Sequence, residues 1–356
     1  MAWDLLVDRA DLSHTELVDA PTPEIGPGQA LIKVDRVGMT ANNVTYAVFG
    51  DAMKYWEFFP AEPPWGRVPL WGFGVVEKST AEGVEEGTRL YGYLPTSSHL
   101  VVQPDKVDAR GFRDASPHRQ HLPAPYNGLT TTTADPAYEE LREDLQVLYR
   151  PLFMTSFMLA DFLLDNGLFG GEAVVLSSAS SKTSYGTAFL LQPTTRTIGL
   201  TSRGNVAFTK GLGCYDDVLA YDEVRTLPAG PTVFVDVAGN PGVRRAVHEH
   251  VGDALVHSAV VGAAHHTAAP DLGGSSRLPG ARPAFFFAPD QMRKRYADWG
   301  ADGVEREHAE AWRRFAPVVE DWVDVILGVG PEALQADWLD TLAGATGPRI
   351  GHVVQL

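Results

Sequence analysis

The stretch EAVVLSSASSKTSYGTAFLLQPTTRTIGLTS, residues 172–202, decides the fold. AVVL is a short unbroken apolar run, the pattern of a strand buried on both faces of a parallel sheet. The serine-rich turn after it leads into SKTSYGTAFLLQP, which reads as a helix start, and RTIGLTS reads as a second strand. The alternation continues downstream. VAFTKGLGC reads as a helix, DDVLAYDEV and PTVFVDVAG as strands, GVRRAVHEHVG as a helix, and ALVHSAVVGAA and PAFFFAPD as strands. Alternation of this regularity predicts βαβ units in a doubly wound parallel sheet, an α/β fold.

Upstream the text is different. From Gln29 to Lys78, ALIKVDRVGMT alternates apolar and polar residues and PLWGFGVVEKST is a short apolar run punctuated by glycine, and both predict strands. Residues 42–69 form an aromatic-rich connection carrying Tyr46, Phe49, Tyr55, Trp56, Phe58, Phe59 and Trp65. These rings suit either a core beneath a long connection or the apolar wall of a binding pocket. A long amphipathic helix is predicted from about Leu141, stopped at Asn166-Gly167. The helical stretch 289–327 carries Trp299, Trp312 and Trp322, and GHVVQL reads as a closing strand. The expected organisation is a split first domain, 1–150 plus 300–356, interrupted by a nucleotide-binding domain, 151–299.

Composition excludes several classes. Lys and Arg number 29 against 45 Asp and Glu, a formal charge of −16, so no basic cluster is read that could neutralise nucleic-acid phosphates. The single cysteine, Cys214, excludes an internal disulfide framework and is expected to be buried and inert. No run of about 18 apolar residues is read, so no membrane span is expected. The N-terminus lacks a signal-peptide core, and a cytoplasmic location is expected.

The ordered set of PGQALIKVDRVGMTANN, LWGFGVVEKSTAEGVEEGTRLYGY, EAVVLSSAS, TIGLTS, TVFVDVAGN and GHVVQL resembles the medium-chain dehydrogenase/reductase superfamily. The resemblance is to its zinc-free, quinone-oxidoreductase and enoyl-reductase-like side, within a branch known only as a domain of unknown function. It implies a GroES-like β-barrel catalytic domain beside a Rossmann domain, a nicotinamide cofactor, and homodimers formed through the edges of the Rossmann sheets.

The phosphate turn departs from that pattern, because glycines normally let the backbone approach a pyrophosphate at the helix N-terminus. Here the turn is Ser177-Ser178-Ala179-Ser180-Ser181-Lys182-Thr183-Ser184. Either the hydroxyls of Ser180, Ser181 and Thr183 with the Lys182 ammonium hold the phosphates, or the turn binds no dinucleotide and a serine merely caps the helix. After the second strand comes Ser202-Arg203, with Lys210 two helical turns on and no acid, which suits a 2′-phosphate and hence NADP(H). Ala238-Gly239 and Val261-Gly262 fall at later strand ends and are expected to line the cofactor.

A catalytic zinc needs about three ligands, and Gly38-Met39-Thr40 stands where zinc-dependent relatives place a cysteine, so no metal is expected. His265-His266 is read as a polar loop. Without a metal, a carbonyl or conjugated alkene must be polarised by hydrogen bonds or protonated by a side chain. Tyr46 is the preferred donor, with Asn43 and Tyr55 beside it and Lys54, Tyr149 and Thr155 as further candidates. The expected activity is hydride transfer between NADP(H) and a small, mostly apolar molecule. The competing expectation is a non-catalytic protein that binds a nucleotide or a partner chain on the same scaffold.

Overall fold

Strands form where β-branched and aromatic residues cluster between Gly, Pro and Asp breaks, and the computed structural model describes residues 2–261 and 278–356. The chain divides into two units, 1–150 with 323–356, and 151–322. The first crossing falls within one helix. The second falls after Trp322 rather than at residue 299/300. The reason is aromatic packing inside the second unit: Phe315 stacks on Phe153 at 4.6 Å and meets Trp322 edge-on at 5.9 Å. Residues 300–322 therefore belong to the second unit.

The first unit contains β1 (Ala2–Asp8), β2 (Thr15–Ala20), β3 (Ala30–Met39), α1 (Ala41–Val48), β4 (Trp65–Gly66), β5 (Leu70–Ser79), β6 (Arg89–Leu94), β7 (His99–Val102), β8 (Pro104–Asp108), β9 (Gly111–Asp114) and β10 (Gly128–Thr131). Strands β2-β1-β4 form a small sheet, and β3, β5, β6, β10, β9 and β8 follow one another in a large one. The connection after β3 is partly helical rather than irregular. Thr40 caps α1 in a capping box with Asn43, so the chain turns as soon as the strand ends.

Helix α2 (Glu143–Asp165) starts in this unit. Its first turn is clamped by Arg89, which gives two 2.6 Å bonds to Glu143 and a 2.8 Å bond to Asp35, and by Arg36, 2.7 Å from Asp144. A side chain at Gly38 would meet the Val147 carbonyl oxygen at 2.6 Å, so glycine is what lets β3 approach the helix. The segment Glu140–Asp165 is long and apolar enough to cross a membrane by length and composition, contrary to the expectation that no such stretch exists. Gln146, Arg150, Thr155 and Asp161 interrupt the apolar run without lowering its mean hydropathy enough. Half of that window is buried within the protein, where Leu148, Phe153, Met158, Leu159 and Leu163 are core residues.

The second unit continues with β11 (Ala173–Leu176), α3 (Lys182–Leu191), β12 (Arg196–Thr201), α4 (Val206–Gly211), β13 (Asp217–Ala220), β14 (Thr232–Asp236), α5 (Pro241–Val251), β15 (Leu255–Val260), β16 (Pro283–Phe285) and α6 (Ala288–Val319). All pairs are parallel and the order is β13-β12-β11-β14-β15-β16. This is the doubly wound order, with its reversal between β11 and β14. Val175, Ile198, Leu200 and Phe234 of the sheet are fully buried, with Val247 of α5 in the same cluster, as coverage of a parallel sheet by helices demands. The chain then returns to the first unit with β17 (Asp324–Val329), α7 (Pro331–Leu342) and β18 (Ile350–Gln355), which extends the large sheet beside β3.

Replacing Phe315 with alanine removes the ring that joins Phe153 to Trp322. Its expected cost is about 3–5 kcal/mol of unfolding free energy, against under about 1.5 kcal/mol for Phe315→Leu, both read by urea denaturation.

Candidate functional site

In a doubly wound sheet, ligands bind outside the carboxyl ends of the strands at the reversal of strand order. Here that places the site at the end of β11, next to β14. Asp236, the last residue of β14, organises it. Its Oδ1 accepts from Ser177 Oγ at 3.0 Å and from the Gly239 amide at 2.9 Å, and its Oδ2 accepts from Arg244 Nε at 2.8 Å. Ser177 Oγ in turn accepts from the Ala238 amide at 2.9 Å, and the Val261 amide donates to the Asp236 carbonyl at 2.9 Å. Asp236 is wholly buried and Arg244 nearly so. The Ala238, Gly239 and Val261 expected to line the cofactor are thus drawn together around one residue. Gly262, His265 and His266 lie outside the described residues.

The turn itself is built by side chains where glycine would otherwise serve. Ser178 has φ of 51°, in the left-handed region. Its amide donates to the Tyr221 hydroxyl at 3.1 Å, and the Ala179 carbonyl accepts from the Tyr215 hydroxyl at 2.9 Å. Ala179 packs so tightly on Gly199 that a Cβ there would lie 2.8 Å from its methyl. Ser180 Oγ accepts from Asn205 Nδ2 at 3.1 Å and from Thr201 Oγ1 at 3.3 Å, so its own hydrogen is directed elsewhere. Ser181 caps α3, accepting from the Ser184 amide, and Ser184 Oγ donates to the Ser177 carbonyl at 2.8 Å. Ser181 therefore has the capping role, whereas Ser180 retains a hydrogen to donate. Thr183, at the second position of α3, has an amide with no helical acceptor, as the first turn of any helix must. Lys182 starts the same turn, and burial pulls the pKa of its ammonium down to about 8.

Tyr221 and Tyr215 were not singled out by sequence reasoning, and Asp236 and Asn205 were read only as members of the strand ends that carry Ala238-Gly239 and Ser202-Arg203. Tyr221 had a usable signal, since it directly follows β13 on the ligand-bearing edge of the sheet. Arg203 follows β12 as expected, but it already holds an ion pair with Asp222, the residue after Tyr221. Ser202 is exposed at the start of that turn, and Lys210 is exposed in the last turn of α4.

The residues expected to act on substrate lie in the first unit. Asn43 is buried and committed to structure: its Oδ1 accepts from the Thr40 amide at 2.8 Å and its Nδ2 donates to the Pro69 carbonyl at 2.9 Å. Tyr46 is different. Its oxygen accepts from Asn42 Nδ2 at 2.6 Å and Trp71 Nε1 at 3.0 Å, which leaves its own hydrogen to donate. Tyr55 packs on Tyr46 at 4.7 Å between ring centroids, with its hydroxyl 3.4 Å from that of Tyr126. Burial pushes both Tyr46 and Tyr55 well above the ordinary phenol value, so both stay protonated. The hydroxyls of Tyr91 and Tyr93 are buried without hydrogen-bond partners. Lys54 is exposed, 3.9 Å from Glu57, Tyr149 is buried in the core, and Thr155 Oγ1 bonds back to the Pro151 carbonyl at 3.3 Å. Among the described residues no group of three or more His, Cys, Asp or Glu is placed to hold a metal ion.

A doubly wound sheet of this order, inserted into a β-rich unit that resumes after it, is the medium-chain dehydrogenase/reductase fold, with Rossmann and GroES-like domains. Solved structures share it along the whole chain. A putative NADPH:quinone reductase from Mesorhizobium loti matches with a TM-score of 0.63 at 13% identity, covering 100% of this chain and 98% of that one. CurA from Vibrio vulnificus in complex with NADPH matches at 0.60 and 13%, covering 100% and 99%. The quinone oxidoreductase from Thermus thermophilus, solved also as its NADPH complex, matches at 0.56 and 16%, covering 99% and 100%. No curated protein matches in sequence. The chain belongs to the family described as "Protein of unknown function (DUF2855)", whose model matches residues 37–347.

Asp236→Asn keeps the shape of the strand end but removes the carboxylate charge that faces the buried Arg244. Its expected cost is about 3–5 kcal/mol, measured by chemical denaturation. The double variant Asp236→Asn with Arg244→Met should recover part of that loss.

Proposed function

We propose that this protein is an NADP(H)-dependent, zinc-independent oxidoreductase that moves hydride to or from a carbonyl or activated C=C bond of a small, mostly apolar molecule. The observation that carries the proposal is the start of α3 at the reversal of strand order. There Ser180, which retains a hydroxyl hydrogen to donate, is followed by the first two residues of the helix, Lys182 and Thr183, whose first-turn amides have no helical acceptor, and the helix dipole adds partial positive charge that suits an anion. CurA and the Thermus enzyme, which share the fold, were solved with NADPH.

When bound, the dinucleotide supplies the hydride chemistry. The chain's own residues do the rest. Lys182, Thr183 and Ser180 hold the diphosphate, and Arg203 meets the 2′-phosphate. Tyr46 donates a hydrogen bond to the substrate oxygen on which negative charge develops, with Asn42 and Trp71 fixing the direction of that hydrogen, and water supplies the proton that completes a reduction. The high pKa of Tyr46 makes it a hydrogen-bond donor rather than an acid that gives its proton up. The second reading, a nucleotide-binding or scaffold protein without catalysis, is favoured by one observation: the Ser178 amide, a natural phosphate donor, is taken by Tyr221.

NADPH fluorescence titration separates the two readings. Micromolar binding with turnover on a panel of quinones and enones supports the enzyme, binding without turnover supports a non-catalytic nucleotide binder, and no binding removes the enzyme and supports the scaffold. Affinity should also report Lys182. Its ammonium is charged below about 8 and a bound phosphate raises that value. The share of NADPH affinity that Lys182 contributes is therefore full below pH 8 and lost as pH rises through the raised, bound-state pKa. Lys182→Met should weaken binding roughly tenfold or more at pH 7 and flatten this profile. Tyr46→Phe should lower kcat/KM about 10²-fold, the scale of one lost charge-stabilising donor, with NADPH affinity unchanged; an unaltered rate removes Tyr46 from the reaction.

A further inference from the structure

The ion pair at the ends of β12 and β13 bears on the choice between the two nicotinamide cofactors, a question that rests on the proposed binding of NADP(H). Arg203 opens the turn after β12, and Asp222 lies in the turn after β13, the neighbouring parallel strand. Their side chains meet through Arg203 Nη2 and Asp222 Oδ2, and both are largely exposed, 70% and 63%. Glu223, next in the chain, is held differently: its Oε2 accepts from the Ala220 amide at 2.9 Å and caps the turn. The Arg203 guanidinium therefore faces one carboxylate directly and feels a second close by, while Arg225 is the basic residue of the same turn.

We infer that Asp222 is a specificity-determining residue that weakens the preference for a 2′-phosphate over a 2′-hydroxyl. A 2′-phosphomonoester carries about −1.5 to −2 charges at pH 7, and it must share Arg203 with a carboxylate of like sign. A ribose 2′-hydroxyl needs an acceptor instead, and Asp222 supplies one in the turn after β13, one strand over from the strand end where an acid usually performs that task. Arg203 after β12 and Asp222 after β13 thus pull in opposite directions, and a pair this exposed reorganises at little cost.

The test is titration of NADPH and NADH against the full-length protein and its Asp222→Asn variant, which keeps the side chain's shape and removes its charge. NADPH should bind roughly 5- to 20-fold tighter to the variant and NADH a few-fold more weakly, and the NADPH gain should shrink as salt screens the site. In Arg203→Ala with Asp222→Asn, most of the NADPH gain should vanish, because the two residues act on the same phosphate. If both cofactors bind and their affinity ratio is unchanged by Asp222→Asn, the inference about Asp222 is overturned while the NADP(H) reading stands. If neither cofactor binds any of these proteins, that reading fails and this inference falls with it.

Discussion

The left-handed Ser178 is the constraint around which the strand-end turns of the second unit are arranged. A serine at φ of 51° lacks the conformational freedom that glycine brings to the same position, and such a residue persists only when its surroundings over-determine it. Those surroundings are visible. Tyr221 holds the Ser178 amide, Tyr215 holds the next carbonyl, and the Ser177 hydroxyl is tied to the buried Asp236. Two tyrosines and a carboxylate, drawn from three other segments of the chain, keep the turn in a shape that glycines elsewhere adopt without help.

The Asp236–Arg244 pair shows why the arrangement is coherent. A buried ion pair gains little over a well-packed apolar pair unless its remaining hydrogen-bonding capacity is filled. Here it is: the carboxylate takes a hydroxyl, an amide and a guanidinium, and the hydroxyl it holds takes a further amide. The same group thereby joins the end of β11, the end of β14 and the first turns of the segment after β14. Position is transmitted from strand to strand by hydrogen bonds of fixed direction.

Much of the fold was legible because period and order carry it. The apolar run at Val174–Leu176, the serine turn, the helix and the strand at Ile198–Thr201 follow one another as a doubly wound sheet requires. The site was less legible because its key bonds are long-range. Tyr221 lies 43 residues from Ser178, and Asp236 lies 59 from Ser177. Asn43 is the opposite case: its bond to the Thr40 amide is local, and an asparagine that closes a capping box and one that faces a substrate look alike in sequence. The limit of the second unit at Trp322 was hidden because a charged helix gives no sign that Trp312 and Phe315 face a core.

The serines of the turn bear on whether it is a built site or a relic. Ser177, Ser181 and Ser184 are each used internally, which serves a binding turn and an inert one equally well. Lys182 and Thr183 are the discriminating residues. A lysine whose ammonium is pulled down by burial loses stability for the charged form, and a first-turn amide without an acceptor is tolerated only at a helix end. Both features suit an anion at the start of α3, because a phosphate nearby raises an ammonium's pKa and accepts from a first-turn amide.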